Sequence, residues 1–515
     1  MSHLGFWKLA AERPDDTALV DAKGRAQTAG ALLARVNRLS HGLRARGVRR
    51  GDSVAVVLKN EAAVVELFMA TAQIGVYYTP INVNLAAPEI AYILGDSEAR
   101  LVVASPAVAG VVAAAADEAG LTAAQRFATG DVPGFAPFEA LLLGQPDGAP
   151  ADRVAGAPMS YTSGTTGKPK GVRRPIADVA PEVTATMQAM FLGLFGITPR
   201  DGVHLVVSPL YHTAVLNFCT NHLHNGHAVV LMDKWTPEGM LELVAKHKVT
   251  ATHMVPTQFR RLLALPAEER ARHDVSSFRH AIHSAAPCPV DVKQAMLDWW
   301  GSSIWEYYAA SEGGGTVASP DDWRAHPGTV GKAWPISRIE VRKDDGSVCA
   351  PREVGTVYMS MGAHRFEYHK DQEKTASSWS GDFFTVGDAG YLDEEGFLYL
   401  VDRKSDMIIS GGVNIYPAEI EAALLAHPKV LDAAVFGVPN DDWGEEIKAV
   451  VEPAPGAEPG AALAGELTAF LAERIARFKV PKSIDFTSEM PRDPNGKLYK
   501  RKLRDPYWAG RSRAI

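Results

Sequence analysis

The segment from Tyr161 to Val172 combines the residue types that bind polyphosphate. It reads Tyr-Thr-Ser-Gly-Thr-Thr-Gly-Lys-Pro-Lys-Gly-Val. Glycines let the backbone approach a ligand, hydroxyls donate hydrogen bonds to phosphate oxygens, and lysines supply positive charge. Proline follows the first lysine, where a Walker A loop has Ser or Thr, so the segment is not a P-loop. We predict a phosphate-binding loop formed by Thr162, Ser163, Gly164, Thr165, Thr166, Gly167, Lys168 and Lys170.

Further short motifs follow this loop along the chain. They read Ser284-Ala285-Ala286-Pro287, Tyr307-Tyr308-Ala309-Ala310-Ser311-Glu312, Val386-Gly387-Asp388, Asp402-Arg403, Ser410-Gly411-Gly412 and Gly496-Lys497. Each motif alone is typical of an ordinary turn or surface segment. Together with the loop, and in this order over almost the whole chain, they resemble the adenylate-forming superfamily of acyl-CoA synthetases, peptide-synthetase adenylation domains and luciferases.

The resemblance implies a role for most of these residues. It implies that Lys497 bridges the substrate carboxylate and the α-phosphate, and that Glu312 holds Mg²⁺ together with Thr165. It also implies that Asp388 accepts hydrogen bonds from both ribose hydroxyls, that Arg403 reaches the ribose or phosphates and that Tyr308 lies against the adenine. The other positions expected beside the nucleotide or CoA are Ser284, Ala285, Ala286, Pro287, Glu306, Tyr307, Ala309, Ser311, Gly411 and Gly412.

The chemistry expected of such a site follows from the weakness of a carboxylate as an electrophile. Adenylation gives the carboxylate a good leaving group, but it brings two anions together, so preorganised cations are needed. The expected reaction is acid plus MgATP giving acyl-AMP and pyrophosphate, followed by attack of CoA giving the thioester and AMP. The expected cofactors are therefore ATP, Mg²⁺ and coenzyme A.

The acyl pocket is predicted from the segment Pro209 to Thr213. It resembles the family segment in which an aromatic or His side chain borders the acyl group, here Tyr211 and His212, the latter a candidate catalytic residue. Family members that activate amino acids carry an aspartate shortly after it, and the stretch Ala214 to Phe218 has no acid. The expected substrate is thus a medium- or long-chain, or a bulky aromatic, terpenoid or steroid-like acid. Further candidate pocket residues, with core packing as the alternative, are Asn217, Phe218 and His283.

Histidine and cysteine spacing does not indicate a metal site. On a helix His222, His224 and His227 would not share one face, so zinc binding is not expected. The three cysteines are odd in number and far apart, which indicates neither a disulfide framework nor a zinc site. We expect all three to be buried.

Composition is typical of an enzyme that binds small molecules. The chain has 53 Lys plus Arg and 60 Asp plus Glu, a net charge of −7, so no footprint for nucleic acid or an anionic membrane is expected. The N-terminal residues lack the pattern of a secretory signal. We expect a cytoplasmic protein, monomeric or homodimeric, without stable membrane insertion.

Strand-like and helix-like segments alternate, which predicts an α/β fold with mostly parallel sheets. At 515 residues the chain is too long for one core. We expect a large N-terminal domain, residues 1–404, that binds ATP and the acyl group. A smaller α+β C-terminal domain, residues 405–515, carries the catalytic lysine. The resemblance implies that this domain swings about a hinge at Ser405, where relatives commonly carry Asp or Lys.

Three alternatives to an acyl-CoA synthetase remain open. A Ser/Lys hydrolase of the amidase type would need a Gly-Gly-Ser-Ser nucleophile loop, which is not recognisable. A binding protein that keeps the fold without activity is disfavoured by the presence of Lys497, Glu312 and Asp388. A family member specialised for one half-reaction, or for loading a carrier protein, stays possible from the residues alone.

Overall fold

A computed structural model of the protein describes residues 4–162, 169–362, 364–403, 406–410, 413–492 and 496–509. Strands and helices alternate along this part of the chain, so the predicted α/β fold is confirmed. Two large sheets are wholly or mainly parallel, and the smaller ones are mainly antiparallel. The phosphate loop residues Ser163 to Lys168, the hinge residue Ser405 and the pair Gly411 and Gly412 lie outside the described residues.

The largest sheet has nine strands and is parallel in its centre, with antiparallel strands at both edges. In spatial order these strands are Lys332–Ala333, Gly313–Ala318, Ile304–Ala310, His280–His283, Ala251–Met254, Val203–Val206, Ala228–Leu231, Thr17–Val20 and Ala26–Thr28. A second sheet of six strands is parallel throughout. Its strands in order are Ala136–Pro137, Arg126–Ala128, Ala99–Ala104, Ser53–Val57, Tyr77–Pro80 and Ala157–Pro158.

Three further sheets complete the chain. A three-stranded antiparallel sheet consists of Glu367–Tyr368, Lys170–Arg173 and Ser160–Thr162. A six-stranded antiparallel sheet consists of Trp379–Ser380, Phe383–Phe384, Gly355–Ser360, Asp388–Leu392 and Leu398–Arg403, with Arg338–Arg342 beside Gly355–Ser360. The last sheet, in the C-terminal region, consists of Val413–Ile415, Ile408–Ser410, Gly444–Pro453 and Val430–Asn440, with Ser483–Phe486 parallel to Gly444–Pro453.

Helices connect the parallel strands and cover the sheets. The α-helices are Phe6–Glu12, Ala29–Ala45, Ala62–Ala72, Ala87–Asp96, Ala109–Glu118, Pro181–Phe191, Thr213–His224, Pro237–His247, Pro256–Leu263, Ala267–Ala271, Val290–Trp300, Pro320–Ala325, Gln372–Ser378, Pro417–Leu425, Ala461–Ala472 and Lys500–Arg504. Short 3₁₀ turns are Pro106–Val108, Ala123–Gln125, Phe138–Leu141, Leu192–Phe195, Gly301–Ser303, Arg477–Lys479 and Asp505–Trp508. Thr236 caps the helix Pro237–His247, because its hydroxyl accepts a hydrogen bond from the Gly239 amide at 3.1 Å.

The C-terminal region has a hydrophobic core of its own. Ile408, Ile420, Leu424, Val435 and Leu467 belong to one buried cluster that draws on residues between Ile408 and Phe486. The helices Pro417–Leu425 and Ala461–Ala472 contribute to this core, as their apolar spacing predicts. The boundary at residue 405 remains a prediction.

The histidine and cysteine expectations are partly wrong. His227 does not continue the helix of His222, and the two Nδ1 atoms lie 2.7 Å apart. Among the described residues no group of three or more potential ligands could hold a metal ion. Cys219 is buried as expected, but Cys288 and Cys349 are only half-buried, and none of the three forms a disulfide. No helix in the described ranges combines the length and apolarity needed to cross a membrane.

Candidate active site

The candidate site lies at the carboxyl ends of the parallel strands of the nine-stranded sheet, where ligands bind in open α/β sheets. The strand Val203–Val206 leads to Tyr211 and His212, and His280–His283 leads to the turn that begins at Ser284. In this turn Ala285 has a φ of 73°, a left-handed conformation that a residue with a side chain seldom adopts. Such strain is typical of ligand-binding turns. Ala285 and Pro287 are exposed, so a ligand can reach the turn.

Asp388 is held from two sides at the start of its strand. The Tyr308 hydroxyl donates a hydrogen bond to Asp388 Oδ2 at 2.7 Å, and Arg403 Nε lies 3.4 Å from Asp388 Oδ1. Burial, reinforced by the Asp388 charge, raises the pKa of the Tyr308 phenol well above its ordinary value, so the phenol keeps its proton and donates. The structure thus brings together three residues that the sequence motifs place far apart.

Glu312 is oriented by residues that the sequence analysis missed. The Tyr368 hydroxyl donates to Glu312 Oε1 at 2.8 Å, and Arg174 donates to the backbone carbonyls of Ser311 and Glu312 at 3.0 and 2.9 Å. Arg174 directly follows the strand Lys170–Arg173, so its closeness in sequence to the phosphate loop could have identified it as a site residue. Tyr368 has no such signal, because it comes from a separate strand that pairs with Lys170–Arg173.

The two ends of the phosphate loop are joined by antiparallel pairing. Thr162 pairs with Lys170, and the Thr162 hydroxyl lies 3.5 Å from the Lys170 carbonyl. The Lys170 ammonium forms an ion pair with Asp371, which lowers the pKa of that carboxyl. Thr162 and Lys170, which flank the loop in sequence, are therefore held side by side.

His212 immediately precedes the helix Thr213–His224. Burial, with the Lys497 ammonium as the next contribution, lowers the pKa of His212 to about 3, so its imidazole is neutral. The Tyr211 ring lies 4.4 Å from the His212 ring, centre to centre.

An aromatic cluster surrounds Phe218, which lies on the helix Thr213–His224 that follows His212. The Phe218 ring lies 5.8 Å from Phe191, 5.7 Å from Tyr307 and 4.8 Å from His253, between ring centres. Phe191 also contacts Trp334 at 5.5 Å. Phe218 is 1% exposed, so it belongs to this packed cluster and not to an open wall.

A polar group adjoins these rings. His253 Nε2 lies 2.9 Å from Ser284 Oγ and 3.3 Å from the Tyr307 hydroxyl, and burial lowers the pKa of His253 to about 3. The other ring nitrogen, Nδ1, is buried without a partner among the described residues. Sequence reasoning missed His253, because it belongs to a plain strand without a motif.

His283 and Glu306 lie on the opposite face of the sheet from Phe218. In the parallel register His283 pairs with Met254 and Glu306, while Ile282 pairs with His253 and Trp305, so the two sets point to different faces. The prediction that His283 joins Asn217 and Phe218 in the pocket is therefore wrong. Asn217 itself is half-buried beside Phe218.

A buried ion pair lies on that opposite face. The Lys293 ammonium, which is fully buried, contacts Glu306, and His283 Nε2 lies 3.5 Å from Glu306 Oε2. Burial raises the pKa of Glu306, an effect that Lys293 opposes. Glu306 is one of the positions predicted to lie beside the nucleotide or CoA. Its carboxylate faces the helix Val290–Trp300, and its role in the site stays a prediction.

Comparison with known proteins gives matches over nearly the whole chain. Residues 6–364 match the family described as AMP-binding enzyme, and residues 419–497 match the AMP-binding enzyme C-terminal domain. A feruloyl-CoA synthase from Amycolatopsis sp is 35% identical over 512 residues, which cover 97% of this chain and 98% of that protein. The fatty acid–[acyl-carrier-protein] ligase ScoC of Streptomyces coeruleorubidus is 31% identical over 519 residues, covering 98% and 96%.

A solved structure has the same fold over its whole length. It is that of o-succinylbenzoate CoA synthetase (MenE) from Bacillus subtilis in complex with the acyl-adenylate intermediate OSB-AMP. The match has a TM-score of 0.83 and 28% sequence identity, and it covers 98% of this chain and 99% of that one.

Proposed function

Because this chain belongs to the family of AMP-binding enzymes, we propose that it activates an aromatic carboxylic acid and transfers the acyl group to coenzyme A. The enzyme is an AMP-forming ligase of the adenylate-forming superfamily, and this family works with ATP, Mg²⁺ and CoA. In the proposed first step the carboxylate attacks the α-phosphorus of ATP and pyrophosphate leaves. In the second step the CoA thiol attacks the acyl carbon and AMP leaves.

The observation that carries this proposal is the close packing of Gly496, the neighbour of Lys497, on the helix Pro256–Leu263, where a Cβ atom at Gly496 would lie 2.5 Å from Thr257 Oγ1. The Lys497 charge is also the next contribution, after burial, to the lowered pKa of His212. The Lys497 ammonium would stabilise the charge that develops when a carboxylate meets the α-phosphate. His212 stays neutral and adds no competing charge.

The nucleotide is proposed to lie between Asp388 and Glu312. The Asp388 carboxylate, held by Tyr308 and Arg403, would accept the ribose hydroxyls. Glu312 offers a hard oxygen ligand of the kind that Mg²⁺ prefers, and Tyr368 fixes one of its oxygens. When bound, Mg²⁺ neutralises phosphate charge, and Thr165 is the second proposed ligand.

An aromatic acid is the substrate class that the pocket supports best. Phe191, Phe218 and Tyr307 pack on one another with 5.7 to 6.3 Å between ring centres, and the half-buried Phe191 is the ring of this cluster proposed to border the acyl group. The group formed by His253, Ser284 and the Tyr307 hydroxyl could bind a polar substituent on the substrate ring. The similar feruloyl-CoA synthase is named for such an acid.

A pyrophosphate-release assay over a panel of acids tests this choice. We expect hydroxylated aryl and arylpropenoic acids to give higher kcat/KM than medium- and long-chain fatty acids of equal concentration. A preference for fatty acids would contradict the aromatic substrate but leave the ligase activity intact.

Substitution of Lys497 tests the two-step mechanism. Lys497→Ala should slow formation of acyl-AMP from acid and ATP by about 10²- to 10³-fold, because a preorganised cation is lost. Chemically supplied acyl-AMP and CoA should still give thioester at close to the normal rate, since the lysine has no role in that step. Equal loss of both half-reactions would contradict this division of labour.

A carrier protein is the second candidate for the thiol. The similarity to ScoC, named as a fatty acid–[acyl-carrier-protein] ligase, favours this alternative. The same acyl-AMP can be offered to CoA and to a phosphopantetheinylated carrier protein in parallel. If only the carrier protein is acylated, then the carrier protein, and not CoA, is the acyl acceptor in the proposed reaction.

A further inference from the structure

The helix Pro256–Leu263 of the large domain contacts the segment that carries Lys497. Gly496, the neighbour of Lys497, packs so closely on this helix that a Cβ atom at Gly496 would lie 2.5 Å from Thr257 Oγ1 and 3.1 Å from Thr257 Cγ2. Only a residue without a side chain fits at this distance. The contact therefore fixes how near the Lys497 segment comes to the helix.

A second contact lies one helical turn further along. Arg260 donates a hydrogen bond to the backbone carbonyl of Leu431, the second residue of the long strand Val430–Asn440 of the C-terminal domain. Thr257 and Arg260 are three residues apart, so both lie on the same face of the helix. Burial lowers the pKa of Arg260, and the negative charge of the nearby Asp432 opposes this effect.

Within the C-terminal domain the two contact points are joined by Arg492. Its guanidinium pairs with the Asp432 carboxylate, with 2.7 Å between Nη2 and Oδ1, and it also donates to the Gly496 carbonyl. Asp432 follows Leu431, and Gly496 precedes Lys497. Arg492 thus links the start of the strand Val430–Asn440, which Arg260 contacts, to the backbone beside Lys497.

We propose that Thr257 and Arg260 form a docking site for the C-terminal domain in the adenylation step, binding Gly496 and the Leu431 carbonyl and so positioning Lys497. The inference rests on the proposed two-step function. In this docked orientation the Lys497 charge reaches His212. The domain swing that the family resemblance implies for the thiol step would separate both pairs, because each contact joins a residue of the large domain to a residue of the C-terminal domain.

The contact energy then acts on an equilibrium between two orientations. A contact made in only one orientation favours that orientation and leaves the other untouched. Arg260 is therefore a positioning residue, whose loss should slow adenylation and not the transfer of acyl-AMP to CoA.

The first test compares substitutions at neighbouring arginines. Arg260→Ala should slow single-turnover acyl-AMP formation by about tenfold or more, since it removes a charged hydrogen bond. Thioester formation from supplied acyl-AMP should stay unchanged or become faster. Arg260→Lys, which can still donate to the carbonyl, should recover part of the rate, and Arg261→Ala, an exposed neighbour on the same helix, should have no effect.

Domain orientation gives a readout that does not depend on turnover. Spin labels on exposed sites of the two domains should report, with ATP and a non-reactive acid analogue bound, a smaller docked population in Arg260→Ala than in the unsubstituted enzyme. If the unsubstituted enzyme releases pyrophosphate, but Arg260→Ala changes neither adenylation nor the docked population, the inference is wrong while the proposed function stands. If no acid supports pyrophosphate release in the unsubstituted enzyme, the proposed function itself is wrong.

A double-mutant cycle tests the Gly496 contact separately. Gly496→Ala should slow adenylation both because Gly496 has a φ of 78° and because its new Cβ meets Thr257. The backbone strain is the same whether Thr257 is present or not, so it cancels in the cycle. Thr257→Ala removes the side-chain atoms that the new Cβ at Gly496 would meet, so it should relieve the steric part of the loss in adenylation rate. The double variant should then be faster than the sum of the two single effects predicts. Purely additive effects would contradict docking at Thr257.

Discussion

At the scale of single residues, Asp388 shows how the fold orients a carboxylate at the proposed nucleotide site. Tyr308 and Arg403 approach its two oxygens from different strands, and the raised pKa of Tyr308 keeps the phenol a donor. A carboxylate fixed in this way loses little conformational entropy when it binds two hydroxyls.

Asp388→Ala should lower ATP affinity by about 2 kcal/mol or more, because two charge-assisted hydrogen bonds to the ribose are lost. Isothermal titration calorimetry with ATP measures the change. Asp388→Asn keeps the shape but weakens the acceptor, and it should give an intermediate affinity. Unchanged ATP binding in a folded Asp388→Ala protein would remove Asp388 from the nucleotide site.

Phe218 packs in the core, and we predict that it also limits the size of the acyl pocket. Phe218→Ala removes a ring that is 1% exposed, so the free energy of unfolding should fall by about 3 kcal/mol or more. The space gained should also shift the kcat/KM ratio toward bulkier acids by about 1 to 3 kcal/mol. Denaturant unfolding and competition between two acids measure the two effects.

Phe259→Ala is the matched control for this prediction. Phe259 is equally buried, but it contacts His283 on the other face of the sheet, with 5.1 Å between ring centres. The substitution Phe259→Ala should lower the free energy of unfolding without altering the order of preferred acids. An unaltered order in Phe218→Ala as well would mean that Phe218 only packs the core.

At the scale of elements, the helix Val290–Trp300 is joined to the strand Ile304–Ala310 by a buried charge pair. Lys293 reaches Glu306 from the helix, and its ammonium also lies 5.0 Å from the Trp323 ring centre. Such a pair contributes little net stability, but it strongly favours one helix position, since each charge needs the other.

Lys293→Met should lower the free energy of unfolding by about 3 to 5 kcal/mol, because it leaves Glu306 buried without a counter-ion. The double variant Lys293→Met/Glu306→Gln should recover most of that loss, since no charge then remains buried. Urea unfolding of the three proteins at pH 7.5 measures both effects. A double variant no more stable than Lys293→Met would show that packing, not charge, explains the loss.

At the scale of the whole molecule, buried histidines couple stability to pH. Six are at most 2% exposed, namely His204, His222, His224, His227, His253 and His283. Burial lowers the pKa of each below the ordinary value of 6.5, to about 3 for His204, His224 and His253. In the folded protein these rings are therefore neutral at pH 7.

Stability should fall as the pH drops below about 6.5, because the unfolded chain then binds protons that the folded chain refuses. Each buried histidine contributes about 1.4 kcal/mol per pH unit between 6.5 and its lowered pKa. His224→Gln should reduce the slope of the unfolding free energy against pH by about that amount, and substitution of the exposed His364 should not. A slope unchanged in His224→Gln would contradict a neutral buried imidazole.

The sequence alone was sufficient for the fold class, the family and the type of reaction. Alternating strand and helix patterns predict the parallel sheets, because side-chain periodicity is a local property. The ordered motifs from Tyr161 to Lys497 indicate an adenylate-forming ligase, because backbone turns and charged groups for phosphate must occur at set places in the chain. These predictions are confirmed, whereas the role of each site residue stays a prediction.

Only the tertiary structure decided which side chains meet. A single step along a strand turns a side chain to the other face of a sheet, so His283 faces Phe259 while its neighbour Ser284 faces His253. Tyr368 reaches Glu312, and Arg260 reaches Leu431, across 56 and 171 residues of sequence. Such contacts depend on how sheets and domains pack together, and no local pattern in the chain specifies that packing.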